Sequence, residues 1–110
     1  MAHNVPIQVH EVGAIVNFVR QEGIDLAIVG PEAPLISGLA DQLRLAGVLV
    51  FGPGAAGARL EGSKAWAKAL MLKHGIPCAR GEAFTDPRAA RDYVLAQPLP
   101  VVVKADGQAL

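Results

Sequence analysis

From His10 onward the apolar residues Val12, Ile15, Val16 and Val19 recur at the spacing of a helix with one apolar face, and Gly23 supplies a stop. The pattern then changes. Asp25 to Val29 (D-L-A-I-V) is a short, nearly continuous apolar run, as expected of a central parallel strand covered on both faces, and Gly30 and Pro31 end it. A second helix is predicted from Ser37 or Gly38 to Ala46, with Leu39, Leu43 and Ala46 on one side and Gly47 as its stop. Val48 to Phe51 is again apolar throughout and reads as a strand; Gly52 and Pro53 follow it, so a turn belongs there.

Beyond this point the alternation starts afresh. Ser63 precedes a run of good helix formers from Lys64 to His74, which Gly75, Ile76 and Pro77 terminate, so Ser63 is a natural N-cap. Ala79 to Phe84 is a weaker strand candidate, interrupted by Arg80, Gly81 and Glu82. Thr85, Asp86 and Pro87 signal the start of a helix over Arg88 to Gln97. Val101 to Lys104 is the last predicted strand, with Ala105, Asp106 and Gly107 turning away from it. Met1 to Gln8 has no usable periodicity. Alternating helices and apolar strands predict an α/β fold, a partial doubly wound parallel sheet with right-handed crossovers. The order enters on a helix and stops just after a strand, so both ends of the sheet are expected to be incomplete. Phe51 to Lys64 is the junction that closes one α/β unit and opens the next.

Composition narrows the function more than the fold. With 110 residues, 52% of them hydrophobic, the chain has material for about one ordinary domain. Ten basic residues balance ten acidic ones, so no broad basic field exists for nucleic acid or an anionic membrane, and any anion site must be local. The single cysteine, Cys78, excludes an internal disulfide and suits a reducing compartment; a half-buried apolar role is expected for it. The apolar runs are too short to span a bilayer, and the expectation is a cytoplasmic protein.

Three stretches could carry chemistry. Gly30 to Leu35 (G-P-E-A-P-L) leaves the C-terminal end of a strand, where open α/β sheets bind ligands, and Pro31 and Pro34 stiffen it around Glu32. A rigid turn with a solvated glutamate is the competing explanation. Lys64 lies in the first turn of its helix, where the macrodipole disfavours a cation unless an anion is near; a solvated lysine would lose little by being there. Lys104 ends an apolar strand, with its stem expected to be buried and its ammonium placed for a phosphate or simply for solvent. Gly52 to Gly57 is glycine-rich but lacks a Walker lysine and the dinucleotide fingerprint. His3, His10 and His74 lack metal spacing, and Trp66 reads as a packing residue.

Four strings occur in one order: G-P-E-A-P-L at 30 to 35, F-G-P at 51 to 53, L-E-G-S-K at 60 to 64 and V-V-K-A-D-G at 102 to 107. Together they resemble phosphoribosylamine glycine ligase, also called glycinamide ribonucleotide synthetase, of the ATP-grasp superfamily, over almost the whole chain after Ile7. The resemblance implies ATP-dependent amide formation between glycine and 5-phosphoribosylamine in purine biosynthesis, the glycine carboxylate being activated as an acyl phosphate with ATP and Mg2+. It implies that Lys64 and Lys104 contact the nucleotide, and that Glu32, with Pro34 and Leu35, faces the phosphoribosylamine. Residues 1–60 would be an incomplete N-terminal substrate-binding domain lacking its first strand, and 61–110 the start of the ATP-grasp central domain.

The family's glycine-rich N-G-G-R-E-H-type loop, the loop over the ATP phosphates and the acidic metal ligands have no counterpart here, and Gln108 departs from the usual leucine. A fragment inactive alone is therefore expected, with the partners being small molecules and neither nucleic acid nor membrane. The alternatives are a stand-alone non-catalytic nucleotide-binding module, or part of another ATP-grasp ligase.

Overall fold

The computed structural model describes residues 2–107, so Gln108 lies outside the described residues. The chain divides into two compact units, the first ending at Gly62 and the second starting at Ser63.

The first unit holds α1 (Val12–Gln21), β1 (Leu26–Ile28), α2 (Glu32–Ile36), α3 (Leu39–Leu45), β2 (Leu49–Phe51) and α4 (Ala55–Gly62). β1 and β2 pair in parallel, with Leu26 opposite Leu49, Ala27 opposite Val50 and Ile28 opposite Phe51. Parallel neighbours need a long crossover, which α2 and α3 supply. Gly47 ends α3 with φ +84°, a left-handed conformation that costs a glycine little. The core gathers Val19 of α1, Leu35 of α2, Leu39, Ala40 and Leu43 of α3, and Ala58 of α4 around Val29 and Val48.

Only one face of this sheet is covered, which corrects the expectation of strands buried on both sides. Alternation along each strand sends Ala27 and Val50 toward the core and Leu26, Ile28, Leu49 and Phe51 to the opposite face. Ile28 and Phe51 are each 72% exposed. The sequence is as apolar as a doubly covered strand requires, but no described element of this unit packs on the second face.

Two helices stand where loops were expected. G-P-E-A-P-L is not a stiff loop: extended Pro31 occupies the N-cap position and Glu32–Ile36 form α2. Pro34 is tolerated because the N–H groups of a first turn have no intrahelical acceptor. The turn expected after Phe51 gives way at once to α4. Its cap comes from α3, the Asp41 Oδ2 accepting from the Ala55 N–H at 2.7 Å. The Arg44 guanidinium donates to the carbonyls of Val50 and Gly52, satisfying acceptors at the end of β2.

The second unit contains α5 (Lys64–Lys73) and α6 (Pro87–Leu95). Ser63 caps α5 as expected, accepting from the Trp66 N–H at 3.1 Å. Asp86 caps α6, accepting from the N–H groups of Arg88 and Ala89 at 3.1 and 3.4 Å. Neither Ala79 to Phe84 nor Val101 to Lys104 forms a strand. A strand exists only through a neighbour's N–H and C=O groups, and among the described residues neither segment has one. Phe84 instead packs its ring against Tyr93 of α6, centroids 5.1 Å apart, and Val102 and Val103 stay 77% exposed.

Candidate functional site

The first unit has a cleft of about 340 Å³ lined by Glu32, Leu35, Pro53, Gly57, Ala58, Leu60 and Glu61. Its walls come from α2, from the turn after β2 and from α4, so residues of three of the recurring strings share one surface. Glu32 and Leu35 are brought together there. Pro34 is not: it is buried and lines a separate apolar hollow with Val29, Leu39 and Leu43. The sequence reading missed Glu61, which adds a second carboxylate to the cleft. Two acids over an apolar floor suit amine and hydroxyl groups better than a phosphate.

The glycine-rich start of α4 is no open anion cradle. A Cβ on Gly54 would stand 2.4 Å from the Asp41 Oδ1, so the protein's own carboxylate already occupies the place where an anion would meet these N–H groups. Gly52, at φ +143°, lies so close to Val29 and Leu35 that a Cβ would come 3.0 Å from the Leu35 side chain and 3.2 Å from the Val29 carbonyl.

In the second unit the strings L-E-G-S-K and V-V-K-A-D-G meet at the N-terminus of α5. The Asp106 carboxylate accepts from the Ala65 N–H at 3.1 Å and from the Ser63 hydroxyl at 3.0 and 3.3 Å to its two oxygens. The Lys64 ammonium donates to the Gly107 carbonyl. The anion that relieves the dipole misfit of Lys64 is therefore at hand within the chain: Asp106 sits at the positive end of α5. The Ala65 N–H, followed by the Ser63 hydroxyl, holds the Asp106 carboxyl below its ordinary range. Asp106 and Gly107, read from sequence as a simple turn pair, are thus the residues that close this site. Their partners lie more than forty positions earlier, which local pattern could not reveal.

Lys64 is exposed. Lys104 is exposed too, on an extended segment outside any strand, which corrects the expected burial of its stem. Among the described residues neither amine is held in a salt bridge with a carboxylate. Their charges are available to an anion, and ATP fits that requirement. Mg2+ has no comparable fit: among the described residues no group of three or more His, Cys, Asp or Glu side chains could hold a metal ion. Among the described residues no helix is long and apolar enough to cross a membrane. His3, His10 and His74 are exposed, Cys78 and Trp66 half-buried.

Comparison with known proteins accounts for both units. The family model described as phosphoribosylglycinamide synthetase, N domain, matches residues 1–61, and that described as phosphoribosylglycinamide synthetase, ATP-grasp (A) domain, matches residues 62–110. A phosphoribosylamine–glycine ligase of Synechocystis is 51% identical over 106 residues, 96% of this chain and 25% of the relative. Those of Nostoc and Agrobacterium fabrum are 49% and 47% identical over 106 and 105 residues, with the same shares covered. The chain spans about a quarter of the length of the curated relatives it matches. With its first 61 residues matching the N domain and the remainder the ATP-grasp domain, the chain belongs to the phosphoribosylglycinamide synthetase family.

Proposed function

We propose that this chain is part of a phosphoribosylamine glycine ligase, contributing one wall of the phosphoribosylamine site and the first cationic contacts to ATP for amide formation with glycine in purine biosynthesis. The observation that carries this reading is the meeting of Ser63, Lys64 and Ala65 with Asp106 and Gly107, which draws two of the family's strings into one site. Residues 1–60 serve as the incomplete substrate-binding domain and 61–110 as the beginning of the nucleotide-binding domain.

Lys64 and Lys104 bind the nucleotide. Their positive charge lowers the repulsion between the phosphate oxygens and the incoming glycine carboxylate, a purely electrostatic contribution. Glu32 accepts from the amine or a ribose hydroxyl of phosphoribosylamine, with the Pro34 and Leu35 backbone fixing where its helix begins. Mg2+ would supply further charge compensation at the phosphates, held by ligands from outside this chain. The reaction belongs in the cytoplasm, among small-molecule partners, with neither nucleic acid nor membrane involved.

Calorimetry with ATP tests the reading. The chain is expected to bind ATP saturably, Lys64→Ala and Lys104→Ala each weakening it about tenfold, or ~1.4 kcal/mol. With glycine and phosphoribosylamine added, the chain alone should form no ADP. Absence of saturable ATP binding would overturn the nucleotide assignment, and ADP formation would overturn the inactivity.

A further inference from the structure

We propose that Asp106 is a positioning residue: it holds the segment carrying Lys104 against the first turn of α5, so that Lys64 and Lys104 keep a fixed spacing. This rests on the reading that these two lysines contact the nucleotide.

Ser63 already meets the local need of α5 for a cap, through the Trp66 N–H. Asp106 adds something a local cap cannot, a tie between two segments far apart in sequence. Its carboxylate takes the Ala65 N–H and the Ser63 hydroxyl, while the next residue, Gly107, gives its carbonyl to the Lys64 ammonium. Two adjacent residues thus bond three adjacent residues, which fixes the direction of the 104–107 segment as well as its place. Lys104 lies two residues before Asp106, and a trans chain cannot separate their Cα atoms by more than about 7 Å. Securing Asp106 therefore confines Lys104 to the neighbourhood of Lys64.

The bond to Gly107 also restrains the Lys64 side chain without cancelling its charge, because a carbonyl is a neutral acceptor. A cation held in place but not neutralised retains its pull on a phosphate. Restraining two flexible lysines before the ligand arrives lowers the entropy cost of binding, and the ionised carboxylate of Asp106 is the group that sustains the restraint.

A short bifunctional amine-reactive crosslinker, with the products identified by mass spectrometry, reads the spacing in the ligand-free chain; the Lys68–Lys73 product within α5 is the internal standard. Asp106→Ala should lower the ratio of Lys64–Lys104 product to standard several-fold and weaken ATP about tenfold. Asp106→Asn, which keeps an acceptor oxygen but no charge, should fall between. Should Asp106→Ala lose helical signal, Asp106→Asn carries the same comparison. An unchanged ratio overturns the proposal whatever happens to ATP binding. A lowered ratio with unchanged ATP affinity overturns it as well. If the unmodified chain takes up no ATP but the ratio falls, Asp106 does set the spacing, and it is the nucleotide reading that fails.

Discussion

Asp41 closes the N-terminus of α4 from a neighbouring helix, and Gly54 leaves the room for it. The carboxylate accepts from the Ala55 N–H at 2.7 Å and stands 3.7 Å from the Arg44 guanidinium. A methyl on Gly54 would displace it; swinging the side chain aside relieves the clash easily but breaks the cap. Gly54→Ala should therefore destabilise the chain by about 1 kcal/mol, within the usual range for a lost cap, and Asp41→Ala by a similar amount. The two losses are one event. In an Asp41→Ala background, Gly54→Ala should be neutral or slightly stabilising, since alanine restricts the unfolded chain more than glycine does. Urea denaturation of the two single variants and the double variant checks this, and simple additivity of the losses would refute the shared cause.

At the scale of elements, α5 depends on a group that titrates. Asp106 is held below its ordinary value by the Ala65 N–H and then the Ser63 hydroxyl, so its ionised form favours the capped helix. A depressed carboxyl contributes stability that is present above its unfolded value and lost as pH falls through its folded one. The Ala65 amide resonance should accordingly titrate with a midpoint below that of an ordinary aspartate, and Asp106→Asn should abolish the titration. A midpoint at the ordinary value would mean that the carboxylate gains nothing from α5.

The same contrast between local and distant partners explains what the sequence revealed. Helices α1, α3 and α5 were legible because their stops, Gly23, Gly47 and Gly75, are local and all adopt positive φ. α4 was not, since its cap lies fourteen residues upstream and its glycines suggested a loop. α2 was hidden by two prolines that in fact occupy positions at a helix start where a missing N–H costs nothing. Val101 to Lys104 has the composition of a strand, but composition cannot supply the neighbour a strand requires. At the site, position alone left Glu32 and Lys64 open between a ligand contact and a solvated side chain, and only the resemblance implied a role for them, whereas the contacts of Asp106 and the place of Glu61 in the cleft are created only by folding.

For the whole molecule, the uncovered face of the sheet is the dominant feature. Leu26, Ile28, Leu49 and Phe51 form cross-strand pairs, Leu26 with Leu49 and Ile28 with Phe51, so their exposed side chains join into one apolar patch rather than scattering. Patches of a few hundred Å² mark interaction surfaces or association hazards, and two strands whose outer edges are unpaired among the described residues add to the hazard. The chain spans about a quarter of the length of the relatives it matches. In isolation it should bind an apolar fluorescent dye and associate as its concentration rises. Replacing Ile28 and Phe51 together by threonine places a β-branched side chain suited to a strand at both positions while removing much of the apolar area. The double variant should bind less dye and sediment as a smaller species at equal concentration, with its helix signal retained. If dye binding and association persist unchanged, the association arises elsewhere and the open face of the sheet is not its source.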